Sequence, residues 1–187
     1  MKVETVKLEG VLVIEPRVFS DPRGFFMETY HQSRYRDHGI QAHFVQDNLS
    51  FSVANTLRGL HYQYPQSQAK LVQVFQGEIW DVAVDIRRGS PTFGEWVGVC
   101  LSGENKRQLF IPEGFAHGFA VLSESAVFTY KCSDFYSPET ERGIIWNDPD
   151  LAIEWPLSTP LLSDKDQQYG LLRDIETAFL PSREGIE

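Results

Sequence analysis

Leu71-Val72-Gln73-Val74-Phe75, then Gln76-Gly77, then Glu78-Ile79-Trp80-Asp81-Val82-Ala83-Val84-Asp85-Ile86: two strand-like runs joined by a turn form the most regular part of the chain and decide its fold. In the second run Trp80, Val82, Val84 and Ile86 alternate with Ile79, Asp81, Ala83 and Asp85, so one face is apolar and the other mixed. Toward the C-terminus, Gly89-Ser90-Pro91 breaks the chain, Trp96 to Leu101 resumes it, Ser102-Gly103-Glu104-Asn105 turns it, and Gln108 to Ile111 resumes again. Pro112-Glu113-Gly114-Phe115-Ala116-His117-Gly118 reads as a tight turn that delivers a histidine into the next strand, Phe119 to Leu122, and Ala126 to Cys132 follows. Short strands separated by turn signals every ~8–12 residues predict an all-β sandwich or barrel.

Upstream, Val3 to Leu8 and Val11 to Val18 are strand-like around Gly10. Ser20-Asp21-Pro22-Arg23-Gly24 is dense in turn formers and separates them from Phe25 to Tyr30, which predicts a hairpin with Arg23 at its tip. Ser33 to His38, closed by Gly39, predicts a short helix. Phe44 to Ser52 returns to strand. At the far end Ser163-Asp164-Lys165-Asp166 looks like a helix start, with an acidic residue three after the cap. The 187 residues predict one unit, 1–187, without a linker or repeat.

Seventeen basic against 26 acidic residues, a formal charge of -9, argue against nucleic acid or anionic membranes as partners. No apolar run approaches the ~20 residues of a membrane helix, and Met1-Lys2-Val3-Glu4 leads into no signal-peptide core, so a cytoplasmic location is expected. Cys100 and Cys132 sit in separate strand-like runs and read as buried free thiols.

Chemistry concentrates in Leu57-Arg58-Gly59-Leu60-His61-Tyr62-Gln63. Strict alternation sends His61 and Gln63 to the face of Gly59 and puts Arg58 on the other, but a bulge at the glycine would bring Arg58 round to the same cavity. A core histidine with a solvated arginine is an equally good reading of the heptapeptide alone. A metal-binding cupin offers a His-x-His pair and a later His after a Pro-x-Gly turn; Pro112-x-Gly114-x-x-His117 supplies the latter, while the former reads His61-Tyr62-Gln63, which leaves a metal short of ligands. Without a metal, His61 is a candidate general base that needs an orienting carboxylate, for which Asp166, Asp85 and Asp81 are the candidates. Lys70 is a candidate for stabilising an enolate oxygen and Tyr130 for a general acid. A solvated lysine and a core tyrosine are the commoner fates of those two residue types.

Six segments taken in order give the chain its resemblance: Phe19 to Phe26, Gln46-Asp47-Asn48, Leu57 to Gln63, Asp81 to Gly94, Ile111 to Phe119 and Leu162 to Asp166. They resemble the dTDP-4-dehydrorhamnose 3,5-epimerase family essentially end to end. The resemblance implies a cupin-type jelly-roll barrel with short peripheral helices, no metal and no cofactor, and a homodimer in which an N-terminal arm reaches the partner subunit. It implies that His61 removes the C5 and then the C3 proton, oriented by Asp166, that Lys70 holds the C4 enolate oxygen, and that Tyr130 returns a proton on the opposite face. Arg23, Phe26, Glu28, Gln46, Asn48, Arg58, His117, Glu141 and Lys165 match substrate contacts, and Tyr136 matches an aromatic that stacks on thymine. The substrate so implied is a dTDP-linked 4-keto-6-deoxy sugar. One departure is Ser50-Phe51-Ser52-Val53-Ala54-Asn55-Thr56, where members often carry a Ser-Arg/Lys-x-Gly-type turn, so a basic contact is missing there. The rival readings are an epimerase of a single centre, C3 or C5, a metal-dependent cupin and a non-catalytic sugar-nucleotide binder.

Overall fold

The computed structural model describes residues 1–183; residues 184–187, which the single-unit expectation also covers, lie outside the described residues. The N-terminal part carries β1 (Lys2–Thr5), β2 (Leu12–Glu15), the hairpin β3 (Val18–Asp21) and β4 (Gly24–Met27), and α1 (Gln32–Asp37). Next come β5 (Gln46–Val53), β6 (Leu57–Gln63), β7 (Lys70–Gln76), β8 (Glu78–Asp85) and β9 (Trp96–Ser102). Then follow β10 (Gln108–Ile111), β11 (Phe115–Val121), β12 (Ser125–Cys132) and β13 (Glu141–Gly143), with short 3₁₀ turns at Leu172–Asp174 and Thr177–Phe179.

Two antiparallel sheets face each other, one of six strands in the order β1-β2-β10-β7-β12-β5 and one of five in the order β13-β6-β11-β8-β9. From β5 to β13 the chain crosses to the other sheet at every step except the β8–β9 hairpin, as in a jelly roll. Between the sheets lie Val72, Val74 and Phe128 from the larger and Ile79, Ala83, Leu101, Phe119 and Val121 from the smaller. The uniformly apolar side of β8 lies outside this interior. Val82, Val84 and Ile86 point outward and are buried under Ile144, Leu151, Leu172 and Leu180 of the C-terminal segment. The mixed side, with Ile79 and Ala83, faces inward, which lets the sandwich interior carry polar groups such as Asp81.

Several expectations need correction. The strand before the N-terminal hairpin starts at Val18 and includes Ser20 and Asp21, because Phe19↔Phe26 and Asp21↔Gly24 pair across a turn of only Pro22 and Arg23. The turn at Pro112 closes by Gly114, and β11 runs from Phe115, so His117 sits in mid-strand, paired with His61 on one side and Ala83 on the other. No helix grows from Ser163: its hydroxyl accepts from the Asp166 amide at 3.1 Å and its carbonyl from the Gln167 amide at 3.2 Å, and the turning ends one bond further on, where the Gln168 amide donates to the Lys165 carbonyl at 3.1 Å. The Asp166 carboxylate is committed to β6 instead, through the Gly59 amide and the His61 ring.

Candidate active site

One end of the sandwich opens into a cavity of about 370 Å³. The six-stranded sheet contributes Gln46 and Asn48 from β5, Lys70 from β7 and Tyr130 and Cys132 from β12, and the five-stranded sheet contributes His61 from β6 and Glu141 from β13. Register explains their convergence: Tyr130 pairs with Asn48 and with Val72, and Cys132 with Gln46 and with Lys70, so all of these project to the inner face. At this end of the sheet the inward residues change from the apolar Val72, Val74 and Phe128 to polar ones.

Of the two readings of Gly59, strict alternation and a bulge, the strand takes the bulge. His117 pairs with His61 and Phe119 with Arg58, so three steps along β6 match two along β11, and Arg58 and His61 share a face. Gly59 has a φ of +130°, and a Cβ there would lie 2.5 Å from the Gly118 Cα. The two strands touch through backbone at this point, which only glycine permits.

His61 Nε2 lies 2.6 Å from Asp166 Oδ1, with the histidine side chain 32% exposed to the cavity and the carboxylate only 4% exposed. Of the three carboxylates considered from sequence, the structure gives Asp166 to His61. Asp81 is buried against His117 Nε2 at 3.0 Å, and Asp85 is bonded by Arg87, Ser90 and Thr92. Burial works against ionisation of Asp166. The hydrogen bond and charge of His61, the Gly59 amide and the Ser163 hydroxyl outweigh it and hold the carboxyl below its usual range. With Nε2 engaged, Nδ1 is the ring nitrogen left to exchange a proton with a ligand.

Lys70 Nζ sits 6.0 Å from the centre of the Tyr130 ring. Burial pushes its ammonium down, against the opposing influence of Cys132, Asp81 and Glu141. Burial pushes the Tyr130 phenol up, with Cys132 adding to the rise, which keeps it protonated as a donor. Tyr136 is half exposed at the rim; its hydroxyl donates to Glu141 Oε2 at 2.7 Å, and Glu141 also accepts from Lys165. Gln46 Nε2 donates to Asn48 Oδ1 at 2.9 Å, and Asn48 Nδ2 lies 3.6 Å from Cys132 Sγ.

Not every expected residue gathers here. His117 is buried beneath the cavity and stacks on Phe128, and its only side-chain hydrogen-bond partner among the described residues is Asp81. Arg58 shares the face of His61 but spends its Nε on Ser52 Oγ at 3.0 Å. Arg23, Phe26 and Glu28 lie outside the cavity: Arg23, 89% exposed, chelates Asp21, Phe26 is open to solvent, and Glu28 accepts from Arg34. Sequence reasoning missed Tyr169, whose ring meets His61 edge-on at 5.8 Å and 67° and covers Gly143, where a Cβ would lie 2.3 Å from it. Gly143 pairs with His61 across the sheet and makes room for the ring, a tertiary relation that no local sequence pattern announces. Sequence reasoning also missed the bonds by which Gln63 holds the main chain on either side of Tyr136.

A family model described as dTDP-4-dehydrorhamnose 3,5-epimerase matches residues 5–174. The chain belongs to the dTDP-4-dehydrorhamnose 3,5-epimerase family. It is 59% identical to the dTDP-4-dehydrorhamnose 3,5-epimerase of Pseudomonas aeruginosa over 178 residues, 94% of this chain and 98% of that one. The crystal structure of a dTDP-6-deoxy-D-glucose-3,5-epimerase from Legionella pneumophila in complex with dTDP-4-keto-L-rhamnose superposes with a TM-score of 0.95 at 54% identity, covering 97% of each chain. A dTDP-4-dehydrorhamnose 3-epimerase from Streptomyces niveus is more distant, 42% identical over 96% of this chain and 88% of that one. The jelly-roll reading from sequence is borne out by this likeness and by the two facing sheets.

Proposed function

We propose that the protein inverts C3 and C5 of dTDP-4-dehydro-6-deoxy-D-glucose, giving dTDP-4-dehydro-L-rhamnose without a redox cofactor. The observation that carries this is the His61–Asp166 pair opening onto the same cavity as Lys70 and Tyr130. A hydrogen at C3 or C5 is α to the C4 ketone, so the chemistry is proton transfer alone. His61 takes the proton at Nδ1, and the C–H electron pair moves into the ring as the C4 oxygen becomes an enolate. Lys70 stabilises that oxygen, and the imidazolium is balanced by Asp166. Collapse of the enolate takes a proton from Tyr130 on the opposite face, which inverts the centre. His61 then loses its proton to solvent and Tyr130 regains one before the second centre reacts. Asp166 is the partner of His61 in this scheme, and Asp81 serves His117. The greater identity to the Pseudomonas aeruginosa and Legionella pneumophila 3,5-epimerases, 59% and 54%, than to the Streptomyces niveus 3-epimerase, 42%, supports inversion at two centres.

Gln46, Asn48, Arg58, Glu141 and Lys165 are assigned to substrate contact, Tyr136 to stacking on thymine, and His117 to a supporting role under the cavity floor. Arg23, Phe26 and Glu28 would act on the partner's cavity in a homodimer with exchanged arms. Leu49, Phe51 and Phe75 leave an apolar stretch exposed on the outer face of the six-stranded sheet, and Gln73 Nε2 is buried beside it without a partner among the described residues, which supports a subunit contact there. Residues 1–187 act as one unit in this reading, and the two free thiols fit a cytoplasmic location. No helix among the described residues is long and apolar enough to cross a membrane. Replacing His61 with Asn tests the assignment: solvent proton exchange into the substrate should be abolished while dTDP still binds. Exchange that persists, or binding that is lost while exchange survives, would contradict the role given to His61.

A further inference from the structure

Gln63 occupies the second histidine position of the metal-binding cupin pattern, and its buried side chain is fully engaged. Nε2 donates to the carbonyls of Gln66 at 3.1 Å and Phe135 at 3.2 Å, and Oε1 accepts from the Ser137 amide at 2.9 Å. Two of these bonds reach 72 and 74 residues along the chain, to the residues on either side of Tyr136. The Tyr136 amide donates to Gln46 Oε1 at 2.9 Å, so the main chain of the whole tripeptide is held by two glutamine side chains from different sheets. The neighbouring segment is tied the same way, by Gln68 Nε2 to the Asp134 carbonyl at 2.8 Å and the Ala69 amide to Ser133 Oγ at 2.8 Å.

A carboxamide is the side chain of this reach that supplies two donors and an acceptor at once. A neutral imidazole supplies one of each, and a carboxylate supplies no donor and would face two carbonyl oxygens. The residue at position 63 can therefore hold this loop or ligate a metal, but not both. We propose that Gln63 is a positioning residue that fixes Tyr136 at the cavity rim as the platform for the thymine base, so that a position used for metal chemistry elsewhere serves nucleotide recognition here. This rests on the stacking role given to Tyr136. Gln63 acts on how often the rim is in its binding conformation and leaves the His61, Lys70 and Tyr130 constellation in place. A loop correctly placed a tenth of the time weakens apparent affinity ~10-fold.

The test uses the full chain and dTDP alone as the titrant, with Gln63→Met to remove the bonds at similar volume, Gln63→Glu to reverse the donors, and Tyr136→Ala as the control. Thermal melting establishes that each variant is folded. The expected result is a Kd for dTDP raised about 10-fold in both Gln63 variants, with KM for the nucleotide sugar rising in step and kcat at saturation changed less than about twofold. Weakened dTDP binding in Tyr136→Ala with normal binding in folded Gln63→Met would overturn the clamp alone. Normal binding in Tyr136→Ala would overturn the platform reading and the clamp with it. A fall in kcat at unchanged KM would also overturn it, because Gln63 would then be serving the proton transfer. Should Gln63→Met fail to fold, Gln63→Glu is read by the same criteria.

Discussion

Replacing Lys70 with Met should make the protein more stable and nearly inactive, and the opposite signs follow from one geometry. The ammonium starts β7 on the inner face, half-buried beside Tyr130 and Cys132 and open to the cavity, and none of the ion pairs among the described residues includes it. Burial already pushes its pKa down, so the folded state holds the charged form less well than water does. Met keeps the length of the aliphatic stem and places a polarisable thioether beside the Tyr130 ring. Exchanging a half-buried, unpaired charge for an apolar group of similar volume should gain ~1–2 kcal/mol. At this chain length that raises Tm by roughly 2–8 °C. The same substitution removes the donor that holds the enolate oxygen, and losing one such donor costs ~10²–10³ in kcat. The assay is paired: differential scanning calorimetry for Tm, and kcat from product formation on dTDP-4-keto-6-deoxyglucose. A lower Tm would refute the view that Lys70 is held at a cost to folding. A kcat within about threefold of the unsubstituted protein would refute its place at the enolate.

Asp166→Asn should lower kcat by ~10–100-fold, since a charge-assisted bond of this kind is worth ~1.5–3 kcal/mol to the imidazolium; steady-state kinetics check this, and an equal or larger loss in Asp81→Asn would transfer the partner role to the other carboxylate. Gly59→Ala should cost on the order of 3 kcal/mol, because the new Cβ meets backbone at 2.5 Å, while Gly24→Ala, at φ +132° but with nothing within 4 Å, should cost less; urea unfolding of both measures the difference. Asp85 is held below its ordinary range, because its bonds from Arg87, Ser90 and Thr92 outweigh burial. Its unfolded form therefore binds more protons in that range, so the stability it contributes is full above the ordinary carboxylate pKa and is lost as pH falls through the depressed value. Asp85→Asn should flatten the acid limb of a stability-against-pH curve, and an unchanged limb would contradict the assignment.

Strand positions were legible because turn residues punctuate the chain at Gln76-Gly77, Gly89-Ser90-Pro91 and Ser102 to Asn105, and each of these does separate or end strands. Which face of β8 points inward was not legible. Alternation separates an apolar from a mixed face, but the cover over Val82, Val84 and Ile86 comes from residues beyond 143, which no local pattern announces. His117 was misplaced in a turn because Pro112 and Gly114 signal one, while Phe115 to Gly118 has the composition of either turn or strand. Ser163 to Asp166 looked like a helix cap since a cap and a one-turn loop share their first hydrogen bond. The candidate site divides in the same way. His61, Lys70 and Tyr130 stand out by residue type on strands, whereas the link of Asp166 to His61 spans 105 residues and depends on tertiary packing. The hairpin residues Arg23, Phe26 and Glu28 match a family pattern, yet within one chain they do not reach the cavity.

Incubation with dTDP-4-keto-6-deoxyglucose in D2O, followed by NMR at C3 and C5, tests the central claim most directly. His61 gives its proton to solvent and Tyr130 draws one from solvent in each inversion, so deuterium should enter at both carbons. Label at one carbon only would make the protein an epimerase of a single centre. Label at neither would contradict the assignment of His61 and Tyr130 as its base and acid.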